Sequence, residues 1–312
     1  LAMPDFPVGG QAVIEGVMMR APHVMTIAVR KPDGSIIVKA DRLKLVADRL
    51  SFLRWPFFRG PIVLWESLLY GIRALTFSAH VAVEEEEEQL STGAMAFTII
   101  SAFALALFFF GLLPHYLSGL IGKLWGEELT TEAFAFHAID GLLKIGFFLL
   151  YIWSISWFHE VRRVFEYHGA EHKSIFTYEA GQALTVENAR QHQIMHPRCG
   201  TSFILVVLLV SIFLFAALFP LFPGLRGWGR VWDLLLQVGL KVILMFPIAA
   251  LSYEVIRFGG RHVDHPLTRL VLWPGLATQR LTAREPADDQ LEVALEALSA
   301  AIRGELEFSQ AT

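Results

Sequence analysis

The run SFILVVLLVSIFLFAALFPLF, residues 202–222, holds no charged residue, and nothing else in the chain constrains its fold as tightly. An uncharged apolar stretch of about 20 residues is what a helix needs to cross the hydrocarbon of a bilayer. A helix packed on a soluble core would keep a polar face, and this one has none. Three further segments share the character: 94–113 (AMAFTIISAFALALFFFGLL), 134–158 and 232–252. Hydrophobic residues make up 54% of the chain, as expected of a membrane protein. The expected fold class is therefore a mainly α, polytopic membrane protein with four transmembrane helices.

A fifth segment, PIVLWESLLYGIRALTFSAHVAV (61–83), is long enough to span. However, Glu66, Arg73 and His80 recur every seven residues and draw a thin polar stripe along it. It reads as an amphipathic helix lying at the membrane interface or against the bundle. The acidic run EEEEEQ (84–89) after it reads as a solvated helix end or loop.

Lysine and arginine set the orientation. They are dense before residue 74, in the 159–201 loop and after residue 256. The loop between the first and second spans holds only Lys123, and that between the third and fourth only Arg226 and Arg230. Positive charge stays on the cytoplasmic side, so both termini and the 159–201 loop are expected there. A fifth span at 61–83 would put the basic N-terminal region on the wrong side. The start, LAMPDFPVGG, has no basic stretch leading into an apolar one, so no secretory signal is expected.

Outside the spans the chain divides into short regions. MTIAVRKPDGSIIVKA alternates about a PDG turn and predicts a β-hairpin, with strands near 24–30 and 35–40. DRLKLVADRLSFLRW (41–55) has helical periodicity and stops before Pro56. The tail TAREPADDQLEVALEAL has a proline at a helix start, acids in the first turn, and Leu291, Leu295 and Leu298 at helical spacing, so it predicts a cytoplasmic helix that docks on the rest. The expected organisation is 1–60, a hairpin and short helix; 61–92, the interfacial helix and acidic run; 93–255, the four-helix domain with its cytoplasmic loop; and 256–312, a cytoplasmic C-terminal region.

The chemistry concentrates in that loop. Residues 168–173 read HGAEHK, with His168 and His172 four apart around Glu171. On a helix that spacing puts both imidazoles on one face, close enough to share a metal. Extending the second span outward makes Phe158, Val161, Phe165, His168, His172 and Ile175 one stripe, so the histidines continue a buried face. Buried imidazoles must be satisfied by something, and a shared cation is one way. The helix should stop near Gly181, and Thr185 is suited to capping a short helix that follows. His192, His196 and Cys199 come next, with His196 and Cys199 at H-x-x-C spacing. An antiparallel return brings His196 and Cys199 towards His168 and His172.

Two or three nitrogens and a thiolate suit a divalent transition metal, zinc first among them. H-x-x-E-H also matches the inverted zincin pattern, in which the glutamate is the general base. The alternative is a set of interfacial histidines satisfied by Glu166, Glu171, Glu179 and the backbone. Glu254, at the cytoplasmic end of the fourth span, is a further candidate ligand or supporting partner. Charged residues fall deep inside spans: Asp140 and Lys144, one turn apart and expected to pair, and Lys241, which needs a partner in Asp140 or a lipid phosphate. Cys199 is the one cysteine, so no intrachain disulfide can form, and a net charge of −4 gives no reason to expect nucleic acid.

Long stretches also resemble a known family. GGQAVIEGVMMR, RGPIVLWESLLYGIRAL, EYHGAEHKSIFTYEAG, LTVENARQHQIMHPRCGTSF, SYEVIR and LTAREPADDQLEVALEAL resemble the YqhQ-type family (domain of unknown function 1385) over nearly the whole chain. The resemblance implies a bacterial, metal-dependent membrane enzyme, placed in the inner membrane, and supplies no substrate. The motif positions it carries over are Glu15, Glu66, His168, Glu171, His172, His196, Cys199 and Glu254.

Together these features lead to a metal-dependent hydrolase. His168, His172 and either His196 or Cys199 hold the metal, Glu171 activates water, and the substrate is a membrane-associated peptide or lipid. Two other readings stay open: a transporter or channel with Asp140, Lys144 and Lys241 along a polar path, and a metal-stabilised scaffold. The lipid bilayer is the expected partner. Gly119, Gly122 and the small residues of the spans also permit a homo-oligomer.

Overall fold

Val17, Met18 and Met19 are consecutive and all buried, which a strand allows only when both of its faces are covered. The computed structural model, which describes residues 6–44, 50–82, 92–126, 129, 133–197, 199–222, 228–261 and 265–311, shows how. Four strands, β1 (Gly9–Val13), β2 (Gly16–Arg20), β3 (Val24–Arg30) and β4 (Ile36–Arg42), form an antiparallel meander in that order. On one face Val17, Met19 and Ala28 meet Tyr167, Leu291 and Leu298; on the other Met18, Met25, Ile27 and Val29 meet Ala74, with Tyr70 and Phe77 beside them. Edge strand β4 is almost wholly exposed and carries Lys39, Asp41 and Arg42, which discourages pairing with another chain.

The predicted hairpin is thus the second half of a four-stranded sheet. Its first half was hidden because the β1–β2 turn uses Ile14 and Glu15 rather than the usual glycine or asparagine. Glu15 adopts φ 49°, a left-handed conformation that disfavours a side chain. Its carboxylate is held by Arg163 through both oxygens. The next residue has to be glycine, because a Cβ on Gly16 would sit 2.1 Å from the Ala28 carbonyl oxygen.

The helix predicted over 41–55 is not found as such. Asp41 and Arg42 end β4, Ser51–Arg54 make one 3-10 turn, and 45–49 lie outside the described residues, as does the acidic run 84–89. Helix α1 (Pro56–Ala82) starts on Pro56 itself, where a proline is tolerated. At its beginning Gly60 packs on Tyr253 and Ala250; further on Gly71 lies against Gln11, and the Ile14 amide donates to Ser78 Oγ at 3.2 Å.

Helix α2 (Thr92–Leu107) runs through a π-helical stretch, Phe108–Leu112, into α3 (Leu113–Leu124). Then follow α4 (Phe134–Ile155), α5 (His159–Glu179), α6 (Val186–Arg190), α7 (Gly200–Leu218), α8 (Arg230–Arg261), α9 (Pro266–Thr282) and α10 (Asp288–Ala311). Among the described residues, five helical segments are long and apolar enough to cross a membrane: 56–82, 96–124, 134–155, 203–221 and 231–259. Four are those read from the sequence; the fifth is α1.

The histidine helix does not continue the second span. The backbone turns extended at Phe158 and α5 starts afresh at His159. Its far end is as predicted, with Gly181 at φ 66° after Glu179 and Thr185 accepting the Asn188 amide as the cap of α6. The tail helix α10 buries Leu291, Leu295 and Leu298 against the sheet and α5. Thr26 Oγ1 donates to the Ala297 carbonyl at 2.7 Å, and Glu305 accepts from the His23 backbone amide at 2.8 Å, which fixes the register of that docking.

Candidate metal centre

One turn of α5 separates His168 from His172, and their ring centroids lie 4.4 Å apart. Each imidazole gives its Nδ1–H to a backbone carbonyl: His168 to Thr282, at 2.7 Å, and His172 to Ile194. That fixes the tautomer and turns both Nε2 lone pairs the same way. They face Cys199, which caps α7 and lies with its Sγ 3.2 Å from His168 Nε2. One ring nitrogen of each histidine and the cysteine sulfur all lie within 4.8 Å of one another. His172 Nε2 is buried and has no hydrogen-bond partner. A buried imidazole nitrogen left in that condition costs free energy that a ligated cation would offset. Two imidazoles held by carbonyls at the far nitrogen, with a cysteine sulfur opposite, are a donor set that could hold a metal ion, with its outer partners in place.

His196 stands beside this group rather than in it. Its ring is 5.6 Å from that of His172 and 4.5 Å from Phe176, and its Nε2 is 3.5 Å from Glu179. The antiparallel return therefore delivers both residues, with Cys199 converging on the pair and His196 flanking it. His192 bonds Gln182 at the surface, His159 and His265 are exposed, and His262 lies outside the described residues.

Glu171 points to the sheet side of α5. It is 5% exposed, takes the Gly10 backbone amide, and leaves no room for a side chain at Gly10. Burial pushes its carboxyl above the ordinary range, against the pull of the His168 and His196 imidazoles. Burial also pushes His172 and His196 down, keeping them neutral and able to ligate.

Two features of the site had no role in the sequence reading. Gln279 of α9, wholly buried, clamps His196 from both sides: its Oε1 accepts the His196 amide and its Nε2 donates to the His196 carbonyl, each at 2.8 Å. One turn on, Thr282 supplies the carbonyl that orients His168. The available signal was ATQRLT itself, where Thr278, Gln279 and Thr282 put three polar groups on one face of a helix that must pack somewhere. The second feature is Gly169, inside the motif. A Cβ there would lie 1.9 Å from the Arg284 carbonyl oxygen, so only glycine lets α5 pass the segment after α9.

The remaining candidates sit elsewhere. Glu254 is held by Arg59 through both oxygens, tying α1 to α8, and is not among the three residues that converge. Glu66 is buried 3.5 Å from Arg20. Within the helical bundle, Asp140 Oδ2 accepts from Lys144 at 2.7 Å and from Lys241 at 2.8 Å, so the expected Asp140–Lys144 pair is a triplet.

No solved structure matches the chain. It is 35% identical over 316 aligned residues to a protein of Bacillus subtilis (strain 168) named "Uncharacterized protein YqhQ", covering 95% of this chain and 92% of the relative. The profile of the family described as "Protein of unknown function (DUF1385)" matches residues 55–304, and the chain belongs to that family.

Proposed function

We propose that this protein is a metal-dependent hydrolase of the bacterial inner membrane, working at the cytoplasmic surface on a membrane-associated peptide or lipid. His168, His172 and Cys199 hold the metal, with His196 beside them. The observation that carries the reading is the orphaned, buried His172 Nε2 facing a second oriented imidazole and a thiol. A divalent ion bound there supplies Lewis-acid polarisation of a substrate carbonyl or phosphoryl oxygen. Glu171, whose carboxyl interacts with the His168 and His196 imidazoles as well as the Gly10 amide, takes the proton from the attacking water and returns it to the leaving group; its raised affinity for a proton makes it the stronger base.

Four helices, α2 with α3, α4, α7 and α8, cross the bilayer, with both termini cytoplasmic. Helix α1 lies on the surface. From Glu66 onward it is fastened to the sheet through Glu66, Gly71 and Ser78, so crossing would drag the sheet into lipid. The side turned away from the sheet carries exposed Trp65, Leu68, Ile72 and Leu75, an apolar stripe suited to the headgroup boundary.

Elemental analysis of the purified protein, without a histidine tag, beside a His168→Ala/His172→Ala variant tests the proposal. About one equivalent of zinc or another transition metal in the wild type, lost in the variant, is the expected result. No metal in either after incubation with Zn²⁺, Mn²⁺ or Fe²⁺ overturns it. A metal staple without chemistry is the second reading, favoured by the burial of His172 and Cys199. Glu171→Gln separates the two, because it stops hydrolysis while zinc stays bound.

A further inference from the structure

Lys144 and Lys241 share one carboxylate deep in the helical bundle. Both donate to Asp140 Oδ2, and Oδ1 has no hydrogen-bond partner. Lys241 also gives a hydrogen to His115 Nδ1 at 3.1 Å, so an ammonium there keeps one donor spare and Lys144 keeps two. Both amines lie over the Phe215 ring, at 5.5 and 5.6 Å from its centre.

Two cations against one anion leave a surplus positive charge, which is costly in hydrocarbon. The depth makes that cost real. From Lys144 to the end of α4 at Ile155, and from Ser211 to the start of α7 at Gly200, is about 16 Å at roughly 1.5 Å per residue. That is near the middle of a hydrocarbon layer of about 30 Å.

The same two lysines line a cavity of about 200 Å³. Its floor is Lys144, Ser211, Phe215 and Lys241, all buried; its rim includes Leu107, Val242 and Met245, all exposed. The mouth therefore opens sideways, where acyl chains lie. One wall, Phe110 and Gly111, belongs to the π-helical stretch, an irregularity that recurs at functional sites.

We infer that this cavity is a binding site for a long-chain carboxylic acid, its carboxylate held by Lys144 and Lys241 and its chain running out past Leu107 and Met245. Such an acid can reach the bilayer midplane uncharged, as RCOOH, whereas phosphate-bearing lipids stay ionised. On docking, the acid's O–H bond breaks, its proton leaves for water, and the carboxylate balances the surplus positive charge of the two ammonium groups on Asp140. The inference rests on α4, α7 and α8 lying in the bilayer and not on the metal.

The test uses the full chain in lipid nanodiscs, labelled with a photoactivatable palmitic acid analogue. Label is expected on the 106–111 and 238–245 segments, displaced by oleate at least 10-fold better than by oleoyl alcohol. Lys241→Met leaves Asp140 and Lys144 as a balanced pair and should lower labelling at least 10-fold. Val242→Trp narrows the mouth while keeping both lysines, and should do the same, so it decides the matter if Lys241→Met does not insert. Equal displacement by oleoyl alcohol, or unchanged labelling in either variant, overturns the site. Displacement by oleoyl lysophosphatidate as good as by oleate overturns the carboxylic acid assignment. Zinc measured in the same samples stays at the wild-type level, which keeps a failure here distinct from a failure of the metal proposal.

Discussion

Replacing Gly169 by alanine puts a methyl group where two segments touch, inside the motif that carries both histidines. In an open helix the change would stabilise by about 1 kcal/mol. Here the new carbon would lie 1.9 Å from the Arg284 oxygen, where a normal carbon–oxygen contact is about 3.3 Å. The segment after α9 must therefore retreat by more than an ångström. Overpacking of this kind costs roughly 1–3 kcal/mol. The Arg284 amide also loses its 2.9 Å bond to the Phe165 carbonyl, about 1 kcal/mol more. Set against the gain in helix propensity, the net is roughly 2 kcal/mol of destabilisation. The displacement reaches Thr282, two residues earlier, whose carbonyl holds His168 Nδ1, and losing such an outer partner lowers metal affinity roughly 10- to 100-fold. Thermal unfolding and zinc competition against a chelator, both in nanodiscs, measure the two effects. Gly146→Ala in α4, where a Cβ meets nothing within 4 Å, is the control that should lose neither. A Gly169→Ala protein that melts with the wild type and binds zinc within twofold of it refutes the reasoning.

Other substitutions probe the ligands one at a time. Cys199→Ser keeps an oxygen to cap α7 but removes the soft ligand, so zinc affinity should fall at least 10-fold and the sulfur charge-transfer band of a Co²⁺-loaded sample should vanish; a retained band would place the thiol outside the coordination sphere. Glu254→Gln should leave zinc at one equivalent, since both oxygens are engaged by Arg59, and loss of the metal would make Glu254 a ligand. pH separates the buried groups. His172 and His196, held low by burial, bind protons in the unfolded chain first, so the metal-free protein loses their contribution as pH falls through about 6.5. Glu171, held high, works the other way: its stabilising contribution is complete at low pH and is lost as pH rises through its folded value. Metal-free Glu171→Gln should therefore lose stability more steeply than the wild type between pH 7 and 5, and parallel denaturation midpoints would contradict this.

What the sequence revealed follows from the range of the interactions involved. The four long apolar helices were legible because fitness to cross a bilayer is set by length and polarity within one segment. The α6 cap and the end of α5 at Gly181 were legible because they rest on one or two neighbouring residues. The convergence of His168, His172 and Cys199 was half legible: helical spacing gives the pair, and a short turn gives the return. Whether His196 or Cys199 arrives opposite the pair is decided by Gln279 of α9, which fixes the His196 backbone from a distance in sequence that no periodicity spans. The β1–β2 turn was missed for a similar reason. Glu15 tolerates φ 49° because Arg163, on α5, holds its carboxylate. Helix α1 was legible as amphipathic, but not which way its faces turn: the small and charged side meets the sheet and the apolar side faces outward.

The metal triad and the lysine cavity lie at different depths on one helix. From Cys199 at the start of α7 to Ser211 on the cavity floor is about 18 Å at roughly 1.5 Å per residue. No single headgroup can touch both, so Lys241 cannot serve the chemistry at the triad directly, and Lys241→Met should keep zinc affinity intact. The separation also divides the two substrate classes. Hydrolysis of an acyl ester or amide at the triad releases a carboxylic acid beside the bilayer, the ligand for which the cavity is shaped, whereas hydrolysis of a peptide releases nothing the cavity would hold. If the substrate is an acyl lipid, added oleate should change turnover in the wild type and leave Lys241→Met unaffected. Turnover indifferent to oleate in both proteins would detach the cavity from the reaction and favour the peptide.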